Sequence, residues 1–259
     1  KIGGEATVYK SSNGLLVKIF HNEERRYETL KKLQKMVSMD IRSVYVNWPL
    51  DVLYHNNDFC GYVMKEITDA EGLDMSRIYS FNNLEFRNRV RICINLLKIV
   101  SYLHSKNILI GDMKFDNILL KNKHEVYIID SGSFQIEDYS CGVYNAGYTS
   151  VELQGKNLRE FLRSVEDEYF PINKILFEIL IGKDPYYNPK SGEIAIVDDR
   201  KFRFPIKNVP EISDPKNPLF LWSNINNEIR KTFHDYFIKN IITDTAQWTV
   251  ILNKFISSN

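Results

Sequence analysis

Residues 108–120 read Ile-Leu-Ile-Gly-Asp-Met-Lys-Phe-Asp-Asn-Ile-Leu-Leu, and residues 126–132 follow as Val-Tyr-Ile-Ile-Asp-Ser-Gly. In the first stretch Lys114 lies two residues after Asp112, and Asn117 lies five residues after it, just before an apolar run. In the second stretch Asp130 ends another apolar run, eighteen residues after Asp112. Short apolar runs bounded by polar residues predict strands. The sequence therefore places two acids, a lysine and an asparagine around a pair of strands.

Phosphoryl transfer is a reaction that needs such a set of side chains. The transferred group carries negative charge through a loose transition state, so catalysis consists mainly of positioning and charge neutralisation. Oxygen ligands suit Mg²⁺, which indicates Asp130 and Asn117 as metal ligands. Asp112 would orient a substrate hydroxyl and accept its proton, with Lys114 beside the transferred group. Each residue alone could be an ordinary turn residue, but their combined spacing favours the catalytic interpretation.

This arrangement resembles the catalytic loop and metal-binding aspartate of protein kinases. The resemblance covers nearly the whole chain and implies an α+β, two-lobed fold. Residues 1–67 would form a small antiparallel β-rich N-lobe with one helix, lacking the usual first strand. Residues 68–259 would form a larger, mostly α-helical C-lobe. The implied cofactors are ATP and Mg²⁺, with Mn²⁺ as a possible replacement.

The apolar pattern along the chain agrees with strands first and helices later. Strands are predicted at 7–10, 15–20, 52–53, 61–64, 118–120 and 126–129, and helices at 22–37, 84–105, 169–181, 225–238 and 246–256. Residues 187–218 are rich in Pro, Asn, Asp and Lys and are expected to form an irregular surface segment.

Residues 3–9, Gly-Gly-Glu-Ala-Thr-Val-Tyr, resemble the end of a glycine-rich loop whose backbone covers the ATP phosphates. Lys1 stands where the first glycine is usual. The residues that the resemblance implies for ATP binding here are Gly3, Gly4, Ala6 and Val8.

Residues 16–19, Leu-Val-Lys-Ile, resemble the strand that carries the phosphate-binding lysine. Lys18 is therefore expected to bind the α- and β-phosphates, the alternative being a solvent-facing lysine on an edge strand. Its expected partner is a helix glutamate. Glu24 and Glu28 share a helix face because they are four residues apart. Glu28 is our candidate, although the register of the helix leaves both open.

Residues 62–67, Tyr-Val-Met-Lys-Glu-Ile, resemble the strand that leads into the hinge between the lobes. Met64 would then lie beside the adenine pocket, and backbone groups of Glu66 and Ile67 would bind adenine. Residues 149–152, Thr-Ser-Val-Glu, occupy the place of the Ala-Pro-Glu segment, and Glu168 occupies the place of the acid before the large central helix.

Several departures from the family pattern concern regulation. Ile110 and Gly111 replace the usual His-Arg before the catalytic aspartate, so control by phosphorylation of the activation loop is not expected. Ser131 replaces the usual phenylalanine, and Phe134 is a candidate to fill the apolar slot that this leaves. No arginine near residues 241–246 can pair with Glu152, which must therefore be solvated or paired elsewhere.

The resemblance is to bacterial-type kinases, similar to those associated with tellurite-resistance operons. It implies a Ser/Thr protein kinase acting on an unidentified protein substrate and converting ATP to ADP. Lys114 favours Ser/Thr over Tyr as the acceptor. Two alternatives stay open: a pseudokinase or ATP-binding scaffold, and a small-molecule kinase of the same fold.

The composition of the chain limits its partners. The 259 residues carry a net charge of +1, which gives no electrostatic reason to expect nucleic acid. No apolar run approaches the 18 or so residues of a membrane span. The three cysteines form no zinc or redox motif, so a reduced, cytoplasmic setting is expected. Of these, Cys141 lies in a predicted loop and could expose its thiol.

Overall fold

A computed structural model describes residues 5–22, 26–73, 86–143, 145–188, 201–215, 217 and 219–258. Its strands are β1 (Ala6–Lys10), β2 (Leu15–Phe20), β3 (Pro49–His55), β4 (Asp58–Lys65), β5 (Glu71–Gly72), β6 (Ile108–Leu109), β7 (Ile118–Lys121), β8 (Glu125–Ile128) and β9 (Gln135–Ile136). Its α-helices are α1 (Arg26–Ser38), α2 (Phe86–Ser105), α3 (Val165–Ile181), α4 (Phe220–Asn224), α5 (Asn227–Lys239) and α6 (Thr245–Ser258). Gly3, Gly4 and Glu24 lie outside the described residues.

The N-lobe is a four-stranded antiparallel sheet with the order β1-β2-β4-β3, against which α1 packs. The β3–β4 hairpin turns at Asn56 and Asn57, whose φ angles of 50° and 68° are typical of a tight hairpin turn. Leu33 and Met36 of α1 are fully buried against this sheet. The Trp48 indole donates to the Met36 carbonyl at 2.9 Å, which fixes the end of α1 on the sheet.

The C-lobe is built around α3, most of which is buried. The helix begins at Val165, four residues before the predicted start. The prediction missed its first turn because three consecutive acids follow Val165 and show no apolar pattern. Acids in a first turn interact favourably with the helix dipole. Phe177 of α3 lies at the centre of an aromatic cluster whose other members are Phe202, Phe204, Trp222, Phe233 and Phe237.

Two small antiparallel sheets position the stretch that opened the sequence analysis. One has the order β5-β7-β8, and the other pairs β6 with β9. Residues 110–117 therefore connect β6 to β7, and Asp130 lies in the short connection between β8 and β9. Both connections leave the same pair of sheets, which brings Asp112 and Asp130 to one end of the C-lobe.

The predicted α+β, two-lobed architecture is confirmed. The strands β5, β6 and β9 and the short helix α4 were not predicted, because elements of two to five residues have too few positions to show periodicity. The described part of the predicted irregular segment, residues 201–215, contains no helix or strand. Among the described residues, none of the helices is both long and apolar enough to span a membrane.

Candidate active site

In the loop between β6 and β7, two neighbouring side chains hold Asp112 in place. Asp112 is 5% exposed. Lys114 Nζ lies 2.5 Å from Asp112 Oδ2, and Asn117 Nδ2 lies 3.1 Å from the same oxygen and 2.9 Å from the Asp112 carbonyl. The other carboxylate oxygen, Oδ1, is buried and has no hydrogen-bond partner within the described residues. Burial raises the pKa of Asp112, in spite of Lys114 and Asn117. The loop therefore presents one unused acceptor oxygen.

Glu168 in the first turn of α3 fixes the backbone beneath Asp112. Its carboxylate accepts a hydrogen bond from the Gly111 N–H at 2.5 Å and lies 2.8 Å from His104 Nε2 of α2. Glu168 itself is 1% exposed. Hydrogen bonds to an ionised group are stronger than neutral ones, so this buried carboxylate ties the loop to both long helices. Glu168 thus lies inside the first turn of α3, whereas the sequence pattern placed it before this helix.

Asp130 adopts a backbone conformation that is uncommon for a residue other than glycine, with φ 62° and ψ 36°. This conformation directs its carboxylate across the cleft, where it forms an ion pair with Lys18 of β2. Burial alone would lower the pKa of Lys18, but the nearby Tyr62 and Asp130 outweigh it and raise that pKa. Lys18 lies directly opposite Val8 in the β1–β2 pair. The structure thus brings Lys18 and Asp130 together.

The residues after Asp130 fill the core between the lobes. Ser131 is fully buried, and its hydroxyl donates to the Asn47 carbonyl. Phe134 is 1% exposed and packs edge-on against Trp48, with 6.3 Å between ring centroids. Phe134 therefore fills apolar space behind the short connection that contains Asp130, as the sequence suggested that it could.

The side chain of α1 that faces inward is Lys32, whereas the sequence pattern favoured Glu28. Glu28 is exposed, and no ion pair joins it to Lys18 within the described residues. Lys32, one turn further along, is buried together with Leu33 and Met36. Its ammonium lies 3.2 Å from the Ser140 carbonyl. The signal that could have found Lys32 is the apolar pair Leu33 and Met36, which fixes the buried face of the helix.

Between α1 and residues 130–143 lies a cavity of about 590 Å³. Its lining includes Lys18, Glu28, Lys32 and Asp130, together with Gly132. Positive and negative groups therefore face one another across open space beside the Lys18–Asp130 ion pair.

The strand β4 and the residues after it form the connection between the lobes. Met64 is 6% exposed. The Glu66 N–H donates to the Gly14 carbonyl at 3.0 Å, and the Glu66 carboxylate pairs with Lys10 at 2.7 Å. In the part of the chain that the structure describes, no hydrogen bond occupies the backbone N–H and C=O of Ile67. Ile67 is thus better placed than the Glu66 N–H to bind a further group.

Comparison with known sequences identifies the family. The sequence model of the family described as "Protein kinase domain" matches residues 15–246.

The chain belongs to the protein kinase family.

Individual relatives agree with this family. Protein kinase YegI of Escherichia coli O157:H7 is 23% identical over 232 residues, which cover 84% of this chain and 33% of that protein. Kinase suppressor of Ras A of Caenorhabditis elegans is 27% identical over 207 residues, covering 70% and 27%. A probable myosin light chain kinase of Dictyostelium discoideum is 26% identical over 208 residues, covering 71% and 41%. The chain thus spans less than half the length of each of these relatives.

The position before the catalytic-loop aspartate distinguishes this kinase domain from those with arginine there. Gly111 has φ 69°, and a Cβ at this position would lie 2.5 Å from the Cβ and Sγ atoms of Cys141. The Arg163 guanidinium donates to the Gly111 carbonyl and, at 2.8 Å, to the Val143 carbonyl. Cys141 is buried, so the suggestion of an exposed thiol was wrong. An arginine from the segment before α3 therefore ties the loop that carries Asp112 to the stretch between Asp130 and Glu152, which is called the activation segment below.

A buried group of charges in the kinase C-lobe supports the residues before Glu152. Tyr148 donates to the Glu178 carboxylate at 3.1 Å, and Lys174 pairs with Glu178 at 3.0 Å and also with Asp184. Burial raises the pKa of Glu178 to about 7. Glu152 itself is exposed to solvent. This is one of the two outcomes expected from the absence of an arginine near residues 241–246, the other being a partner elsewhere.

Proposed function

We propose that this kinase domain is an active Ser/Thr protein kinase that transfers the γ-phosphoryl group of Mg-ATP to a hydroxyl group of a protein. The observation that carries the proposal is the free Oδ1 of Asp112. It is a buried acceptor oxygen, and Lys114 and Asn117 hold the other half of the same carboxylate. A buried acceptor without a partner is costly, and a substrate hydroxyl would satisfy it.

The oxygen atoms near Asp112 suit a magnesium ion. Asn117 uses its Nδ2 to hold Asp112, which leaves its carbonyl oxygen for a metal. Asp130 supplies a carboxylate, and Mg²⁺ is commonly bound through one or two protein oxygens together with substrate phosphates. The described residues contain no cluster of three or more His, Cys, Asp or Glu side chains that could enclose a metal by themselves. Asn117 and Asp130 are therefore our proposed metal ligands.

The remaining ATP-binding residues follow from the positions described above. Lys18 would bind the α- and β-phosphates, opposite the backbone of Val8 and near that of Ala6. Met64 would line the adenine pocket, and the Ile67 backbone would bind the adenine edge. Glu66 would contribute its carbonyl, because its N–H is already bonded to Gly14. Gly3 and Gly4 are proposed from the family pattern alone.

The chemistry assigned to the chain is positioning and proton acceptance. Mg-ATP, when bound, supplies the phosphoryl group and neutralises the charge that develops on it. Asp112 Oδ1 accepts the hydrogen bond of the substrate hydroxyl and takes its proton as the new O–P bond forms. Its neighbour Lys114 keeps the carboxylate in place and would lie beside the phosphoryl oxygens.

We also propose that activity does not depend on phosphorylation of the activation segment. In kinases that need it, the new phosphate recruits a cation to order the loop. Here Arg163 already binds the carbonyls of Gly111 and Val143, and Cys141 packs on Gly111 without a phosphate. An unmodified loop is thus already docked against the catalytic loop.

A nucleotide-binding scaffold without transfer activity is the second candidate. The ion pair between Lys18 and Asp130 favours it, because each partner satisfies the other instead of phosphate and metal. The exposed position of Glu28 points the same way. A thermal-shift titration measures nucleotide binding by itself, since a ligand at 100 times its Kd adds about 2.7 kcal/mol whether or not transfer follows. Binding in that titration without transfer in the assay below would favour the scaffold.

The test of the proposal is transfer of label from γ-labelled ATP. Purified protein should label itself or generic protein substrates on Ser and Thr, and both Mg²⁺ chelation and Asp112→Asn should abolish the label. Pretreatment with phosphatase should leave the rate unchanged. Nucleotide binding without label in any protein would support the scaffold. Label in aminoglycosides or sugar alcohols, with none in proteins, would support a small-molecule kinase.

A further inference from the structure

Lys32 is a buried cation with little compensation. The residue is 8% exposed, and among the described residues its one hydrogen bond, at 3.2 Å, is to the Ser140 carbonyl. An ammonium group has three donors, and burying it without partners costs free energy. Burial accordingly lowers the pKa of Lys32 to about 8, even though Cys141 and Asp130 act in the opposite direction.

A second buried lysine shows what full compensation looks like. Lys174 of α3 is 4% exposed, and it pairs with both Glu178 and Asp184. Lys32 is nearly as buried but meets no carboxylate within hydrogen-bonding distance among the described residues. The difference indicates that Lys32 needs a negatively charged partner that the described residues do not supply.

The missing partner can reach Lys32 from the cleft. Lys32 lines the cavity of about 590 Å³ that also contains Lys18 and Asp130. Lys18 and Lys32 therefore share one cavity with the carboxylate of Asp130, which is already paired with Lys18. The acids Glu5, Glu28 and Asp138 also line this cavity, but among the described residues none of them lies within hydrogen-bonding distance of Lys32. If Asp130 binds a metal ion, as proposed above, both lysines are left facing the cavity. An anion with several negative charges would satisfy them together.

We propose that Lys32 is a second phosphate-binding residue, whose ammonium group binds nucleotide phosphate oxygens beside Lys18. This proposal rests on the proposed function, because it takes ATP as the ligand of the cleft. The inward-facing side chain of α1 is thus a cation, Lys32. The sequence resemblance predicted an acid, Glu28, in that role. The Ser140 carbonyl holds the Lys32 side chain in the cavity before the nucleotide arrives.

The test separates phosphate binding from adenine binding. Isothermal titration would measure the Kd of ATP, tripolyphosphate and adenosine, each with Mg²⁺ at constant ionic strength, for the wild type and for Lys32→Met. We expect Lys32→Met to weaken ATP and tripolyphosphate by about ten- to a hundred-fold, the range of a charge-assisted hydrogen bond. Adenosine should bind within about twofold of the wild type, because it carries no phosphate. Lys32→Arg keeps the charge and should recover most of the loss.

Lys35 provides the matched control. It lies on the same helix and pairs with Glu137 of the activation segment at 2.9 Å, but it does not line the cavity. If Lys32 merely tied α1 to the activation segment, Lys35→Met and Lys32→Met would have similar effects. We expect Lys35→Met to leave all three Kd values within about twofold.

Each outcome bears on one proposal. Equal losses for adenosine and ATP in Lys32→Met, or no loss for either, would overturn the role of Lys32 while leaving ATP binding by the wild type intact. Failure of the wild type to bind ATP would instead overturn the proposed function. If Lys32→Met does not fold, amine-reactive labelling of the wild type decides. Tripolyphosphate should protect Lys32 and adenosine should not, and equal labelling under both conditions would contradict the proposal.

Discussion

The two sides of the cleft are built differently. On the C-lobe side, Asp112 is buried and held by Lys114 and Asn117, and Glu168 fixes the backbone beneath it. On the N-lobe side, Glu28 is exposed at the cavity and Lys18 is paired with Asp130. Lys32 is buried there, and within the described residues its one hydrogen bond is to the Ser140 carbonyl at 3.2 Å. On the C-lobe side the aspartate is thus held by buried hydrogen bonds, whereas on the N-lobe side Lys32 has no carboxylate within hydrogen-bonding distance among the described residues.

This difference indicates which parts of the kinase pattern tolerate change. Asp112 and Lys114, which are proposed to act on the reacting groups, lie in a loop that is held by a hydrogen bond to Glu168 of α3, and Glu168 in turn contacts His104 of α2. Their geometry can vary little without loss of those bonds. Among the residues of helix α1 that line the cavity, Glu28 is exposed and Lys32 is buried. We therefore expect that the charges that α1 presents to a ligand can change while the fold is retained.

The largest effect is expected on the C-lobe side, from Asp130→Asn. Loss of the proposed metal carboxylate should lower kcat by about 10²–10³-fold, a range typical for removal of a group that stabilises charge in the transition state. Steady-state assays over a range of Mg²⁺ concentrations would measure it. Glu137→Gln is the control, because Glu137 is an exposed acid in the same segment that does not line the cavity. Equal activities of the two variants would remove Asp130 from the metal site.

The next comparison concerns Lys18 and Glu28 on the N-lobe side. Lys18→Met should lower kcat/KM by about 10–100-fold, since it removes a charge-assisted contact to phosphate. Glu28→Gln should change kcat/KM by less than about threefold, because the Glu28 carboxylate is exposed and unpaired with Lys18 in this structure. A large loss of kcat/KM in Glu28→Gln would show that α1 rotates when the nucleotide binds and that this rotation brings Glu28 inward.

Gly111→Ala tests how tightly the C-lobe side is packed. The positive φ of 69° and the contact at 2.5 Å with Cys141 both oppose a side chain. We expect the free energy of unfolding, measured by urea titration, to fall by about 2–4 kcal/mol. Gly155 has φ 83° with no atom within 4 Å of the added Cβ. Gly155→Ala should therefore cost about 1 kcal/mol, from the backbone term alone.

Equal losses in the two alanine variants would mean that Cys141 and Arg163 move aside without cost. The proposed docking of the activation segment by Arg163 and Cys141 would then lose its structural basis.

The smallest predicted effect concerns Glu178, whose pKa is raised from 4.5 to about 7 by burial. The folded state binds this proton more tightly than the unfolded chain, so its stability advantage is complete below about pH 4.5 and is lost as the pH rises through 7. Glu178→Gln should flatten the pH dependence of the unfolding free energy between about pH 5 and 8 by about 1–3 kcal/mol. The exposed Glu152→Gln should leave that curve unchanged, and matching curves for both variants would contradict the assignment.

Local sequence spacing was sufficient to predict the C-lobe side of the cleft. Asp112, Lys114 and Asn117 lie within six residues, and two short strands fix the loop that contains them, so few conformations can separate them. The positions of the main strands and helices could be predicted from apolar periodicity, which is also a local pattern in the sequence.

Long-range packing explains what the sequence did not reveal. Arg163 reaches Gly111 across fifty-two residues, and no local pattern links the two. The inward side chain of α1 depends on the rotation of the helix on the sheet, and one turn separates Glu28 from Lys32. The exposure of Cys141 was misjudged because its loop packs directly on a glycine. In each case the deciding contact joins distant segments of the chain.

A crystal structure with a non-hydrolysable ATP analogue and Mg²⁺ would test the central claim most directly. The account predicts a metal ion bound by Asp130 and the carbonyl oxygen of Asn117, with Lys18 released from Asp130 and, together with Lys32, bound to phosphate oxygens. A nucleotide bound without metal at Asp130 and Asn117, with the Lys18–Asp130 ion pair intact, would contradict it.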